Sequence, residues 1–194
     1  MKRRSFIEKS IGAGAAGVVG SSVLGSCVSQ DSKEETPTKS VLVMPQMPDK
    51  DDISIAQWAL VDEIREGLWT TLDFPKLARE EFDINGIEFV NTLFEVPHMN
   101  YLNQLKQNAE DHGVSMVLIM VDAEGDPCSP DAGERKQYAI NHRKWIDVAH
   151  YLGCHGIRTN CRGVKEATPE ENLEWAVDSY HMLLEYASEA GVNV

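Results

Sequence analysis

The sequence predicts an α/β fold, a (β/α)8 barrel of which residues 51–194 supply about the first four βα units and the start of strand five. Three observations lead there. Four times a helical stretch runs into a glycine, a β-branched residue and a short apolar segment: "DINGIEFV", "EDHGVSMVLIMVD", "GCHGIRTN" and "SEAGVNV". Those segments are too continuously apolar to leave one face wet, which marks strands of a parallel sheet. They recur roughly every 30 to 40 residues, the size of a βα unit. Repeated units of this kind leave a doubly wound sheet or a barrel. No glycine-rich phosphate loop follows the first strand, where Gln57 and Trp58 stand instead, so the barrel is favoured.

The chain opens on residues that belong to an address rather than to the barrel. Lys2, Arg3 and Arg4 are basic, and "RRSFIEK" resembles a twin-arginine export motif. The Gly/Ala-rich stretch that follows is too short for a membrane span. It ends in "LGSC", which resembles a lipobox, so residues 1–27 read as a lipoprotein signal with lipidation at Cys27. An ordinary signal peptide or an uncleaved anchor is the alternative. Residues 28–50 are polar, without apolar periodicity, and read as a flexible tether. The expected location is the periplasm, or its membrane surface, of a bacterium, with the membrane touched through the lipid anchor.

"ISIAQWAL" (residues 53–60) is the first strand. "LDFPKLAREEF" follows as a helix, with Pro75 in its first turn and Leu77, Ala78 and Phe82 on one face. After the second strand, "NYLNQLKQNAEDHG" sets Leu102, Leu105 and Ala109 in one stripe. "ERKQYAINHRKWIDVAHYLG" sets Tyr138, Trp145, Ile146, Ala149 and Leu152 at helical spacing. The last helix opens on Thr168, Pro169 and Glu171, a capping box, and Leu173, Val177, Tyr180 and Leu184 form its expected apolar face. Most of the glycines in the four junctions (Gly86, Gly113, Gly156, Gly191) are expected just past helix ends in the left-handed conformation. Four strands and the opening "VNV" of a fifth read as the front half of a longer chain, whose open sheet edges invite aggregation or pairing.

Charge and cysteines exclude several functions. The chain carries 31 acidic and 18 basic side chains, a net charge of −13. That balance argues against a nucleic-acid partner. Beyond Cys27 stand Cys128, Cys154 and Cys161, with no CxxC pair, which argues against a zinc ribbon and leaves room for one disulfide in an oxidising compartment. The histidines form no HxH or HExxH pair, so no metal site is built from this chain alone. His142, a turn from Tyr138 and Ile146, reads as a satisfied histidine beneath its helix.

The runs "LDFPKLAREEFDINGIEFVN", "LIMVDAEGD", "NHRKWIDVAHYLGCHGIRTN" and "ASEAGVNV" resemble the sugar phosphate isomerase/epimerase family. That family belongs to the xylose isomerase-like TIM barrels, with tagatose 3-epimerases, inosose dehydratases and endonuclease IV. The resemblance implies an isomerase, epimerase or related dehydratase, exported by its leader, that acts on a carbohydrate or keto-sugar by proton transfer next to a carbonyl. It implies a divalent metal (Mn, Mg, Co or Zn) in the full-length protein, held by carboxylates and a histidine of strands five to eight. The catalytic residues would therefore lie beyond Val194. The alternatives are a carbohydrate-binding lipoprotein without chemistry on the same barrel, and an endonuclease IV-like zinc phosphodiesterase, which the acidic charge and the leader oppose. Oligomeric state is not legible.

In such a barrel the active site lies at the C-terminal ends of the strands. Gln57 and Trp58 fall there on the first strand, Glu88 and Asn91 on the second, Asp122 on the third, and Arg158 and Asn160 on the fourth. The candidate substrate-binding residues are Trp58, Glu88, Asp122, Arg158 and Asn160. Trp58 is either core or a platform for a sugar face. Glu88 is either a contact to a substrate hydroxyl or one half of an internal ion pair with Arg158. Asp122 precedes the long loop "DAEGDPCSPDAGE", which reads as a lid or as a solvent loop with Asp122 capping the next helix. Arg158 suits a phosphate or carboxylate, but an exported protein points instead to a neutral sugar.

Overall fold

The computed structural model describes residues 53–194. The leader, Cys27 and the whole tether lie outside the described residues. The elements run β1 (Ser54–Ala56), a 3-10 turn (Gln57–Leu60), α1 (Val61–Arg65), α2 (Phe74–Glu80), β2 (Gly86–Val90), a second 3-10 turn (Asn91–Leu93), α3 (Met99–His112), β3 (Ser115–Met120), α4 (Ala132–Leu152), β4 (Gly156–Arg158) and α5 (Pro169–Glu189). All strand pairs are parallel and the order is β1-β2-β3-β4. Each crossover therefore adds its strand beside the last, the winding of a barrel. A doubly wound sheet would reverse direction partway. Asn193 bridges to Gly156 in parallel, the opening step of a strand beyond β4.

Alternation along the strands separates two faces. Ile87 and Phe89 of β2, Ile119 of β3 and Ile157 of β4 are buried in one core with Leu102, Leu105, Tyr138, Ile146, Ala149 and Leu183 of the helices. The tilted rings of Phe89 and Phe94 meet at 5.4 Å and those of Phe94 and Trp145 at 5.6 Å, so aromatic rings tie β2 to α4. The other face carries Ser54 and Ala56, then Glu88 and Val90, then Leu118 and Met120, then Arg158. A bulge at Val117 sets its levels: Ala56, Glu88, Leu118 and Gly156 share one, and Val90, Met120 and Arg158 the next.

Helix boundaries follow their caps. His98 Nδ1 accepts the Tyr101 N–H at the start of α3. Asp131 accepts the Glu134 N–H at the start of α4. Thr168 and Glu171 form the expected capping box on α5.

Four expectations change. The first strand stops at Ala56, not Leu60, because the Gln57 side chain takes the next bond of the ladder from Val90. Gly113 and Gly191 have left-handed backbones, but Gly86 and Gly156 are first residues of strands. There they provide space: a Cβ on Gly156 would stand 3.0 Å from the Asn193 carbonyl oxygen. Phe82 lies past the end of α2 and is exposed. Helix α5 buries Ser179, Leu183 and Ala187, while Leu173, Val177 and Leu184 are exposed and Tyr180 is half-buried.

Candidate functional site

Side chains cross-link the C-terminal ends of the strands in series. After β1, Gln57 is fully buried; its Oε1 accepts the Val90 N–H at 2.7 Å and its Nε2 donates to Thr71 Oγ1 at 3.0 Å. The Thr71 hydroxyl donates to the Leu93 carbonyl at 2.8 Å, and its N–H donates to Glu95. Glu95 also accepts the Tyr101 hydroxyl, whose ionisation is pushed up by burial and by that bond. After β2, Asn91 reaches across to the end of β3. Its Nδ2 donates to the Asp122 carbonyl at 2.9 Å and its Oδ1 accepts the Asp122 N–H at 2.8 Å. After β4, Asn160 Nδ2 donates to Asp122 Oδ1, and Arg158 Nη1 donates to Asn160 Oδ1 at 2.6 Å. Arg158 also stands 3.7 Å from Asp122 Oδ1. Buried amides hold the backbone, which leaves the half-exposed Asp122, Arg158 and Asn160 free to meet a ligand.

Above these ends lies a cavity of about 490 Å³, lined by Trp58, Asp122, Asp126, Asn160 and Arg162 with the backbone of Ala123 and Gly125. Trp58 is 38% exposed, with the Arg65 guanidinium 5.8 Å from its ring centroid. An aromatic plate, two carboxylates, an amide and a guanidinium around one hollow can accept from and donate to a polyol while stacking on its apolar face.

Of the five residues proposed from sequence, Trp58, Asp122 and Asn160 come together at this cavity. Arg158 reaches it through Asn160. Glu88 does not line it. The ion pair of Glu88 with Arg158 is absent: Glu88 sits one level deeper, opposite Leu118, and its Oε1 accepts the Ser54 hydroxyl at 2.5 Å. Arg158 pairs with Asp122 instead. Glu88 is half-exposed on the face turned away from the helices, so its carboxylate keeps water within reach and needs no cation.

Asp122 caps no helix; Asp131 does that. The loop after it is bolted down. Glu124 accepts Trp145 Nε1 at 2.7 Å and Lys144 at 2.8 Å. Ser179 on α5 donates to the Pro127 carbonyl at 2.7 Å, and Arg135 holds the Ser129 and Pro130 carbonyls. That web fits a fixed wall better than a free lid. Asp126 and Arg162 were not singled out from sequence; their place depends on loop paths that no periodicity encodes.

His142 is 2% exposed, and its Nδ1 lies 2.8 Å from the Tyr138 carbonyl, which fixes that nitrogen as the donor. Burial holds its imidazole below the usual range. Its ring packs on Tyr138 at 4.2 Å and does not line the cavity. Among the described residues no three His, Cys, Asp or Glu side chains gather as a metal would need. At Asp122 the neighbouring positions are filled by an amide and a guanidinium, a poor place for a second cation.

A family model described as xylose isomerase-like TIM barrel matches residues 76–194. No curated protein matches the chain. Among solved structures, the D-psicose 3-epimerase of Clostridium cellulolyticum H10, determined with D-tagatose, is 18% identical with a TM-score of 0.54, over 62% of this chain and 44% of that one. A sugar phosphate isomerase/epimerase from Parabacteroides distasonis ATCC 8503 is 12% identical with a TM-score of 0.54, over 73% and 49%. The 3-keto-D-glucoside 4-epimerase of E. coli is 15% identical with a TM-score of 0.50, over 63% and 49%. The chain thus spans about half the length of the structures it matches.

Proposed function

Because the chain belongs to the xylose isomerase-like TIM barrel family, we propose that it binds a small neutral carbohydrate at the strand ends and serves a sugar isomerase or epimerase reaction. The observation that carries this reading is the cavity lined by Trp58, Asp122, Asn160 and Arg162. Its neighbours in fold include proteins described as epimerases of D-psicose and of a 3-keto-glucoside. The reaction is proton transfer on a carbon next to a carbonyl.

The chain's own residues bind and orient. Trp58 stacks on the sugar. Asp122 accepts from one hydroxyl, and Asn160 and Arg158 hold its carboxylate in place. Arg162, which also lines the cavity, donates to another hydroxyl. Glu88, one level below, supports the floor through Ser54. A bound divalent metal would polarise the carbonyl and its neighbouring hydroxyl. Among the described residues no three His, Cys, Asp or Glu side chains gather around one point, so metal dependence is proposed for the whole protein on the family resemblance, and no step is derived through it. Export and lipidation at Cys27 are proposed on the leader sequence. Intact mass of the membrane fraction should show a lipid-modified chain beginning at Cys27; a soluble mature protein beginning elsewhere would refute that address.

The activity is tested by incubating the full-length protein with ketohexoses in D2O, with and without divalent metals, and following the carbons next to the carbonyl by NMR. Deuterium should enter one of those positions in at least one sugar. Failure of exchange across the panel, by a protein that still binds sugar, would leave a binding protein on an enzyme's barrel.

A further inference from the structure

Three cysteines among the described residues are thiols, and two of them meet. Cys128 Sγ and Cys161 Sγ lie 3.5 Å apart, although 33 positions separate them in sequence. Cys128 is in the β3–α4 loop and is 1% exposed; Cys161 is in the β4–α5 segment and is exposed. The third, Cys154, is buried at the end of α4 and its thiol is pushed up to about 12 by that burial.

The backbone is held on both sides of the pair. The Cys128 N–H donates to Asp126 Oδ1 at 2.8 Å, and the preceding Pro127 carbonyl accepts from Ser179. On the other side, Asn172 brackets Val164, accepting its N–H at 2.7 Å and donating to its carbonyl at 3.1 Å. Two anchored segments thus present their sulfurs to each other. A disulfide needs the sulfurs at about 2 Å, a short approach for the exposed Cys161 side chain.

We propose that Cys128 and Cys161 are a disulfide-forming pair that staples the β3–α4 loop to the β4–α5 segment beside the cavity. The oxidant is a small-molecule or protein disulfide. Cys161, open to solvent, loses its proton, and its thiolate attacks one sulfur of that disulfide, expelling the first thiol. Cys128 then loses its proton and its sulfur attacks Cys161 Sγ, expelling the second. Two protein thiols are oxidised, one external disulfide is reduced to two thiols, and one S–S bond joins the loops. Burial, with Cys161 adjacent, pushes the Cys128 thiol up to about 11, which makes Cys161 the point of entry. The bond fixes the spacing of the two segments that carry Asp126 and Arg162, both of which line the cavity.

Trypsin reads the pairing directly. Cys27, Cys128, Cys154 and Cys161 fall in four separate peptides, with Cys128 in residues 107–135, Cys154 in 145–158 and Cys161 in 159–162. The full chain is incubated with oxidised glutathione, alkylated under denaturing conditions without reductant, digested and analysed by mass spectrometry. The expected product joins 107–135 to 159–162, while Cys154 is alkylated. Closing so long a loop should raise Tm by about 5 °C, and Cys161→Ser should abolish that rise without changing the Tm of the reduced protein. Recovery of Cys128 and Cys161 as separate thiols or separate glutathione adducts, or pairing of either with Cys27, Cys154 or a second chain, would overturn the proposal.

Discussion

The side-chain amide of Asn91 grips the backbone of Asp122 at both its N–H and its carbonyl. One buried residue at the end of β2 thereby fixes where the β3 carboxylate enters the cavity. Asn91→Ala leaves two backbone groups without their partners, so a loss of about 2 kcal/mol is expected. Urea unfolding measures it. Sugar affinity should fall as well, because Asp122 loses its fixed position. A variant as stable as the parent would show that the grip is dispensable.

Helix α5 offers two adjacent leucines with opposite fates. Leu183 is fully buried and Leu184 is 44% exposed. Leu183→Ala should cost about 2 to 5 kcal/mol, and Leu184→Ala no more than about 0.5 kcal/mol. Chemical denaturation of the two variants side by side checks the orientation of the helix. Equal losses would mean that α5 is turned about its axis.

Tyr138 is 1% exposed, and its hydroxyl has no hydrogen-bond partner among the described residues. Removing a buried group that makes no bond costs nothing and relieves a desolvation penalty. Tyr138→Phe is therefore expected to match or exceed the parent in Tm. A clear drop would reveal a partner for the hydroxyl.

His142 gives the protein a pH dependence of known sign. Burial lowers its pKa below the ordinary 6.5. The unfolded chain therefore takes up a proton at a pH where the folded chain does not. Stability is fully present above about 6.5 and falls as pH drops below it. Between pH 7.5 and 5.5 the parent should lose more Tm than His142→Gln does. Parallel curves would remove His142 as the cause.

Much of the sheet was legible because glycine followed by a β-branched residue recurs at the start of β2 and β4 and just before β3, and helical stripes such as Leu102, Leu105 and Ala109 leave one reading. The end of β1 was not legible: "IAQWAL" is apolar apart from Gln57, and what stops the strand is a tertiary bond from the Val90 N–H to the Gln57 side-chain oxygen. The facing of α5 was not legible either: Leu173, Val177 and Leu184 form one apolar stripe, and the buried Ser179, Leu183 and Ala187 lie about a quarter-turn away, so the neighbours decide which stripe is covered. Trp58, Asp122 and Asn160 could be read as site candidates, since position at a strand end suffices. The pairing of Arg158 with Asp122 rather than Glu88 could not, because the bulge at Val117 sets the level of each residue.

The central claim is that a neutral sugar binds in the cavity of Trp58, Asp122 and Asn160. Calorimetric titration of the full-length protein with a ketohexose panel tests it most directly, on the parent, Trp58→Ala, Asp122→Asn and, outside the cavity lining, the exposed Leu173→Ala. The account predicts binding by the parent, a loss of about tenfold or more in each cavity variant, and no change in Leu173→Ala. Sugar affinity untouched by both Trp58→Ala and Asp122→Asn would contradict it.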